Sequence, residues 1–320
     1  MGVSKKLSIF CVFVLSVFLV GAYAGEKQEI KKKFAAQKTV KLELVSGDCA
    51  IETSSQKTIA LYVVHTYDPK KYEVGIEEKN GVLVLKEKFK GSVSGDSTWN
   101  LTVPENTEIV FSSASGDADI KGLANNLTFK SASGDLECGR IKGNVSVSTA
   151  SGDLEIKDVT GAIDIKTASG DIEGSRLNGN LSVKSASGDI ELDDFTGSIE
   201  VKTASGEIEV KEFLVKEDCV FKTASGDIEI SLKDGCTHNL TAATASGDVV
   251  LDYNGKPFLG FYEFSARKSS GEIIAPVTFT KSEDVERHGQ KYMVKSFKAG
   301  NKGEPKITLK TASGTVELKK

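Results

Sequence analysis

Large side chains are scarce in this sequence. Aromatic residues make up 7% of the 320, with one tryptophan, and there are only 5 prolines. A body this poor in bulk cannot fill a thick globular core, which points to a thin, repetitive structure. Histidine is scarcer still: His65, His238 and His288 lie in separate segments and form neither a zinc-protease nor a triad pattern. The 5 cysteines include no C-x-x-C pair, which removes the usual signature of a metal or redox site. A basic excess is absent too. The formal charge is −4, and without Lys5 and Lys6 it is 39 basic against 45 acidic residues, or −6, which argues against nucleic acid as a partner.

The one long apolar run is Leu7–Val20, preceded by Lys5 and Lys6 and followed by Ala22-Tyr23-Ala24. That order is the pattern of a secretory signal peptide, so residues 1–24 are expected to be removed. The run is short for a membrane span, and no span is expected in the mature chain. Export follows, to a periplasmic, cell-surface or extracellular location. Cys49, Cys138, Cys219 and Cys236 remain after cleavage. The first three fall at inward strand positions, where Cys acts as a small hydrophobe, while Cys219 and Cys236 could pair in an oxidising compartment.

What is abundant is glycine, 31 residues, and its placement is periodic. Ser-Gly pairs end at Gly116, Gly134, Gly152, Gly170, Gly188 and Gly206 in steps of 18, then at Gly226, Gly247 and Gly271 in longer steps. Each 18 divides into two nines, as in GSIEVK from Gly197 and GEIEVK from Gly206. Each nine alternates apolar and polar residues, the signature of a strand with one buried face. Two short strands cannot bury their faces alone, but stacked coils can, at about 4.8 Å per rung. Ile163, Leu181 and Ile199 should form one internal column and Ile172, Ile190 and Ile208 another. Leu123, Ile141, Val159, Leu177, Phe195 and Phe213 should plug one edge. A triangular helix would repeat its apolar positions every six, not nine. The predicted fold is therefore all-β: a parallel β-solenoid, a flattened two-sheet β-helix with about 18 residues per coil.

The predicted organisation is a linker at 25–37 and one solenoid domain at 38–320. Within it, regular repeats run over about 108–274, an irregular excursion over about 254–305, and a closing strand over 306–318. The excursion carries Tyr262, Arg267, Arg287, His288 and Tyr292, the only unlike grouping of functional residue types outside the repeats.

The LVSGDCAIE stretch at 44–52, the Trp99–Pro104 strand, the tandem ASGD coils and the final GEPKITLKTASGTVEL resemble the bacterial "putative adhesin" family, exported β-strand-repeat proteins with tandem T-A-S-G-D motifs. The resemblance covers roughly 38–320. It implies a β-helical fold and an envelope or surface location, and it brings no catalytic motif.

Stacking would line like residues into rows. Asp117, Asp135, Asp153, Asp171, Asp189, Glu207 and Asp227 form one outward column, and Asp119, Glu137, Glu155, Glu173, Glu191, Glu209 and Glu229 a second. The partner sheet shows Asn126, Asn144, Asn180 and Ser198 with Lys130, Lys166, Lys184, Lys202 and Lys222. The acidic rows make a candidate binding face, either for a basic partner or, weakly, for calcium through its carboxylate oxygens. The alternative is a solvated face that keeps a repeat protein soluble. Calcium-binding nine-residue rolls need G-G-x-G-x-D, and this chain has A-S-G-D. No cofactor is expected otherwise. The corner serines Ser133, Ser151, Ser169, Ser187 and Ser205 read as turn residues. An active site needs one unlike constellation, and identical corners do not supply it. The sequence thus predicts a non-enzymatic, exported binding or scaffold protein, with a protein or an envelope or surface polymer as its partner.

Overall fold

A computed structural model of the chain describes residues 27–300 and 303–320; the expected signal segment lies outside them. Their regular secondary structure is β-strand throughout. The alternating nines fold as read. Ile163, Leu181 and Ile199 pair in register across three parallel strands, as do Ile172, Ile190 and Ile208. The longer steps of the repeat are absorbed at the corners, so Ile208, Ile228 and Val249 still align. All six edge-plugging residues from Leu123 to Phe213 are buried. The rings of Phe111 and Phe129 stack 5.2 Å apart inside the tube. Each aliphatic side chain removed from water in these columns is worth about 1.5–3 kcal/mol.

The edge plugs depend on a backbone feature with the same period. Arg140, Asp158, Arg176, Asp194 and Glu212 precede the plugs Ile141 to Phe213, and each has φ between 49° and 54°. This left-handed residue bends the strand so that the next side chain turns inward. The charged side chains stack outside, and Arg176 holds Asp158 of the neighbouring coil through two bonds, Nε to Oδ1 at 2.6 Å and Nη2 to Oδ2 at 2.9 Å.

The two ends depart from the sequence order. Lys306–Lys310 does not close the stack; it lies between Leu240–Ala243 and Gly260–Arg267. Gly314–Lys319 likewise lies between Val249–Asp252 and Gly271–Ile274. The described part of the excursion, residues 254–300 and 303–305, is built into the stack. It supplies the outermost rung and an antiparallel extension, Gln290–Ala299 on Gly260–Arg267 and Lys281–Arg287 on Gln290–Ala299. The opposite end mirrors this. Thr39–Glu43 and Asp48–Ser54 are sandwiched between the Val82–Phe89/Ser97–Pro104 rung and the Glu108–Ser113/Ala118–Lys121 rung. Tyr72–Lys79 and Thr58–His65 then cap that outer rung antiparallel.

The expected linker is a strand. Gln28–Ala35 pairs antiparallel with Thr58–His65, and Ile30 and Phe34 pack against the core. Its lysine run hid the alternation, because only two apolar residues mark the inward side. Cys49, Cys138, Cys219 and Cys236 are buried free thiols, so Cys219 and Cys236 do not pair. Burial pushes the Cys236 thiol up to about 11 and that of Cys138 to about 12.

Candidate binding faces

The corner motif can be read atom by atom. In the coil at 167–171, Thr167 Oγ1 donates to the Ser169 carbonyl at 2.7 Å inside the corner. Ser187 N–H and Oγ both donate to the Ala168 carbonyl one coil back, at 3.0 and 3.3 Å. Gly188 has φ +107°, and a Cβ there would overlap the carbonyl oxygen of Gly170. Only glycine lets successive coils approach this closely. The aspartate completes the set: Asp171 N–H donates to Asp153 Oδ1, and Asp189 N–H to Asp171 Oδ1, both at 2.9 Å.

The aspartate ladder is therefore as much structural as electrostatic. It begins at Asp48, whose Oδ1 accepts from Asp117, and runs to Glu207 N–H on Asp189 Oδ1 at 2.8 Å. It resumes at Asp227, which accepts from Asp248, which in turn accepts from Thr315 at 2.6 Å. Asn126 and Asn144 cap the opposite corners in the same way. Neighbouring carboxylates repel by about 1 kcal/mol across one rung even at water's dielectric constant, and a charge-assisted bond to main-chain N–H offsets that. The balance shows at two positions. Burial first, then Asp117 and Asp153, hold Asp135 above the ordinary carboxylate range against its bond from Asp153. Burial, then Asp227 and Asp189, raise Glu207.

The second acidic row is partly neutralised by a third column. Lys121 bridges Asp119 and Glu137, each at 2.8 Å; Lys157 pairs with Glu155; Lys211 reaches Glu209 at 2.8 Å and Glu191 at 3.5 Å. Where that column carries Ser175 and Asp193, Glu173 has no ion-pair partner among the described residues. A shallow hollow of about 320 Å³ opens there, lined by Glu155, Glu173, Glu191 and Asp193 among others. Among the described residues, no three His, Cys, Asp or Glu side chains converge to hold a metal ion.

The other sheet presents the lysine row. Lys166, Lys184, Lys202 and Lys222 sit on successive rungs. Asp164 pairs with Lys166 at 2.9 Å and Glu200 with Lys202, leaving Lys184 and Lys222 without ion pairs among the described residues. Beside the row lies a trough of about 570 Å³ lined by Asn144, Ser146, Asp164, Asn180, Ser182, Ser198, Glu200 and Asp218 with their backbones.

Two unlike clusters sit at the ends. At the first corner, Glu87 is buried, and its Oε2 accepts from the main-chain N–H groups of Val45 at 2.7 Å and Ser46 at 3.1 Å. Its Oε1 accepts from Ser97 at 2.5 Å and Tyr72 at 3.2 Å, and Ser97 Oγ in turn accepts from Trp99 Nε1 at 3.2 Å. Beside it, His65 packs on Tyr72 at 4.5 Å, with burial lowering its pKa. Nothing in the repeat pattern marks Glu87. At the far end, Arg267 and Arg287 meet at Tyr292. The excursion's other two candidates do not join them: Tyr262 is in the core, bonded to the Tyr253 hydroxyl at 2.7 Å, and His288 sits in a turn at φ 51°.

No helix among the described residues is long and apolar enough to cross a membrane, which does not bear on spanning by strands. Among curated proteins, none matches the chain. Crystal structures that the chain matches include a putative cell adhesion protein from Clostridium sporogenes, 12% identical, covering 92% of this chain and 99% of that one, with a TM-score of 0.26. A putative adhesin from Parabacteroides merdae is 16% identical over 92% and 97%, with a TM-score of 0.38. A putative lipid binding protein from Parabacteroides distasonis is 15% identical over 92% and 98%, also at 0.38. The family profile described as Toastrack DUF4097 matches residues 70–257, more than half of the sequence, and the chain belongs to that family.

Proposed function

We propose that the mature protein is an exported, non-enzymatic binding or scaffold protein of the cell surface, adhesin-like in acting through breadth. The observation that carries this is the in-register stacking of side chains. It gives two extended faces, one with acidic rows and one with a lysine row, with a shallow hollow on each. Repeated weak contacts along such a face sum to useful affinity, whereas catalysis needs unlike groups converging on one reacting atom. The order of charges and apolar residues in 1–24 supports export. The partner is a protein or a polymer of the envelope or surface.

The test is capture from the native envelope fraction by the immobilised mature chain. Parallel columns carry Lys166, Lys184, Lys202 and Lys222 changed to Gln, or Glu173, Glu191 and Glu209 changed to Gln. A partner retained by the native chain and lost with one face supports the reading and identifies the face. Capture of nothing by the native chain refutes it. A cation-dependent structural role for the acidic rows is the alternative, and the hollow at Glu173 is what favours it. The lack of any three converging ligands there makes it the weaker of the two.

A further inference from the structure

We infer that Arg267, Arg287 and Tyr292 form an oxyanion clamp, the end stop of a track on the lysine-bearing sheet for an acidic polysaccharide. This rests on the reading of the protein as a binder of surface polymers and names the polymer's class.

The clamp is built by strand pairing. Arg267 lies directly opposite Tyr292 on the neighbouring antiparallel strand, and Tyr292 opposite Val285 on the next. Arg287 is two residues beyond Val285 and so projects from the same face. The guanidinium carbons stand 6.0 Å (Arg267) and 5.6 Å (Arg287) from the centre of the Tyr292 ring. Arg287 Nη1 reaches the buried Ser265 hydroxyl at 3.5 Å. The Nε of Arg267 is buried with no hydrogen-bond partner.

Guanidiniums on a paired sheet surface normally recruit a carboxylate. Here Glu263 is engaged with Lys306 and Lys310 at 3.4 and 3.5 Å, Glu283 with Lys281 at 2.7 Å and Asp284 with Lys268 at 2.5 Å, while Glu286, one residue before Arg287, alternates to the other face of its strand. Neither arginine has an ion pair among the described residues. Each arginine thus offers the exposed part of its planar fork, beside an aromatic platform, to an anion from outside.

The same sheet connects the clamp to the lysine row. Lys310 pairs with Ser265, and Lys310 with Ala243, which follows Lys222, Lys202, Lys184 and Lys166 rung by rung. The track is not purely basic, and that selects the ligand. Asp164, Glu200 and Asp218 lie along it with Asn144, Asn180, Ser182 and Ser198. A polyphosphate or nucleic acid backbone would meet those carboxylates with like charge and few hydroxyl donors. A polysaccharide with spaced carboxylates can donate hydroxyls to them while its own charges sit on lysine and arginine.

The experiment measures binding of sodium polygalacturonate to the full mature chain, with dextran and inorganic polyphosphate as comparisons, over a range of salt. Expected is preference for polygalacturonate over both. Changing Arg267 and Arg287 together to Gln should weaken it at least about tenfold, as loss of two charge-assisted contacts implies. Changing both to Lys, which keeps charge but not the fork, should restore only part. Replacing Lys184 and Lys222 with Gln should reduce the salt slope by about 1.5, at roughly 0.7–0.9 per contact. Equal binding of dextran, tighter Arg-dependent binding of polyphosphate, or native-like affinity in the Arg267→Gln/Arg287→Gln protein, with melting curves unchanged, would each overturn the assignment. Envelope capture that survives the arginine change while polygalacturonate binding is absent would leave the broad-face reading standing and remove this one.

Discussion

Glu87 offers the sharpest test of how the stack is ended. At each regular corner, a backbone N–H is satisfied by the coil beyond it. At the first corner, the outer rung swings away, and a single carboxylate takes over for residues 45–47. Replacing Glu87 with Ala removes acceptors from five donors. Val45 and Ser46 are exposed, so water can serve their N–H groups, but Gly47, Tyr72 and Ser97 are buried. Leaving about three buried donors unmet, at roughly 1–3 kcal/mol each and eased by hydroxyl rotation, gives an expected loss of about 3–5 kcal/mol. Glu87→Gln keeps the shape, and the hydroxyls of Tyr72 and Ser97 can turn to accept from its amide, so about 1–2 kcal/mol is expected. The chain's one tryptophan reports on this site, because Trp99 is buried and bonded to Ser97, which is bonded to Glu87. Urea titration followed by tryptophan emission should show the Glu87→Ala midpoint falling ahead of the far-ultraviolet dichroism transition as the end opens first. A cost below about 1 kcal/mol with coincident transitions would show that the carboxylate is not what closes the corner.

Four other outcomes are expected. Gly188→Ala forces a Cβ within 2.8 Å of the Gly170 carbonyl carbon at φ +107°, so strain and overpacking should together cost about 2–5 kcal/mol, whereas Gly289→Ala, at φ +72° in open space, should cost about 1; equal costs on chemical denaturation would remove the close-approach argument. Glu207 has its pKa raised above the ordinary 4.5 by burial and then by Asp227 and Asp189, so folding favours its protonated form. That contribution is complete below pH 4.5 and lost as pH rises through the folded value, so Glu207→Gln should raise Tm slightly at pH 7, by about 1 °C, and not at pH 4; the reverse order would contradict it. Millimolar calcium should leave the melting curve unmoved, since no three ligands converge among the described residues, and a clear rise would revive the cation-dependent reading. Deleting 306–320 should release 260–299 as well, because Ile307, Leu309, Val316 and Leu318 fill the rung beneath it; limited proteolysis that spares 260–299 would refute the threading.

The interior of the stack was legible because period and burial coincide there. An alternation of nine fixes which face is inward, and an 18-residue step fixes which residues align. The acidic and lysine rows follow from the same arithmetic. What period could not report was the chemistry of each row. That Asp153 accepts from the next coil's backbone depends on side-chain reach, and the left-handed bends at Arg140 and Asp158 leave no mark in residue type. The ends were illegible for another reason. Placing 306–319 inside the stack is decided by which rungs complete each other's hydrogen bonds, and neighbouring segments in sequence say nothing of that. The excursion differs from the repeats in residue type, but which of its residues meet depends on the antiparallel pairing of 260–267 with 290–299.

The two ends also bear on how a face of this kind can be displayed. A stack of parallel rungs ending in a bare rung offers unpaired N–H and C=O groups to a second copy, and identical rungs make that copy a good fit. Here both outermost rungs come from interior segments of the chain, and most of their free edges are covered by strands running the other way. The covering strands carry Lys31, Lys32 and Lys33 at one edge and Lys281, Glu283, Asp284, Glu286 and Arg287 at another, charges that a docking strand would have to desolvate. Reversal of direction breaks the register that the repeats impose, and the charge discourages any other. Edge-to-edge growth of the stack is thereby discouraged, and the repeats can be uniform without templating a fibre.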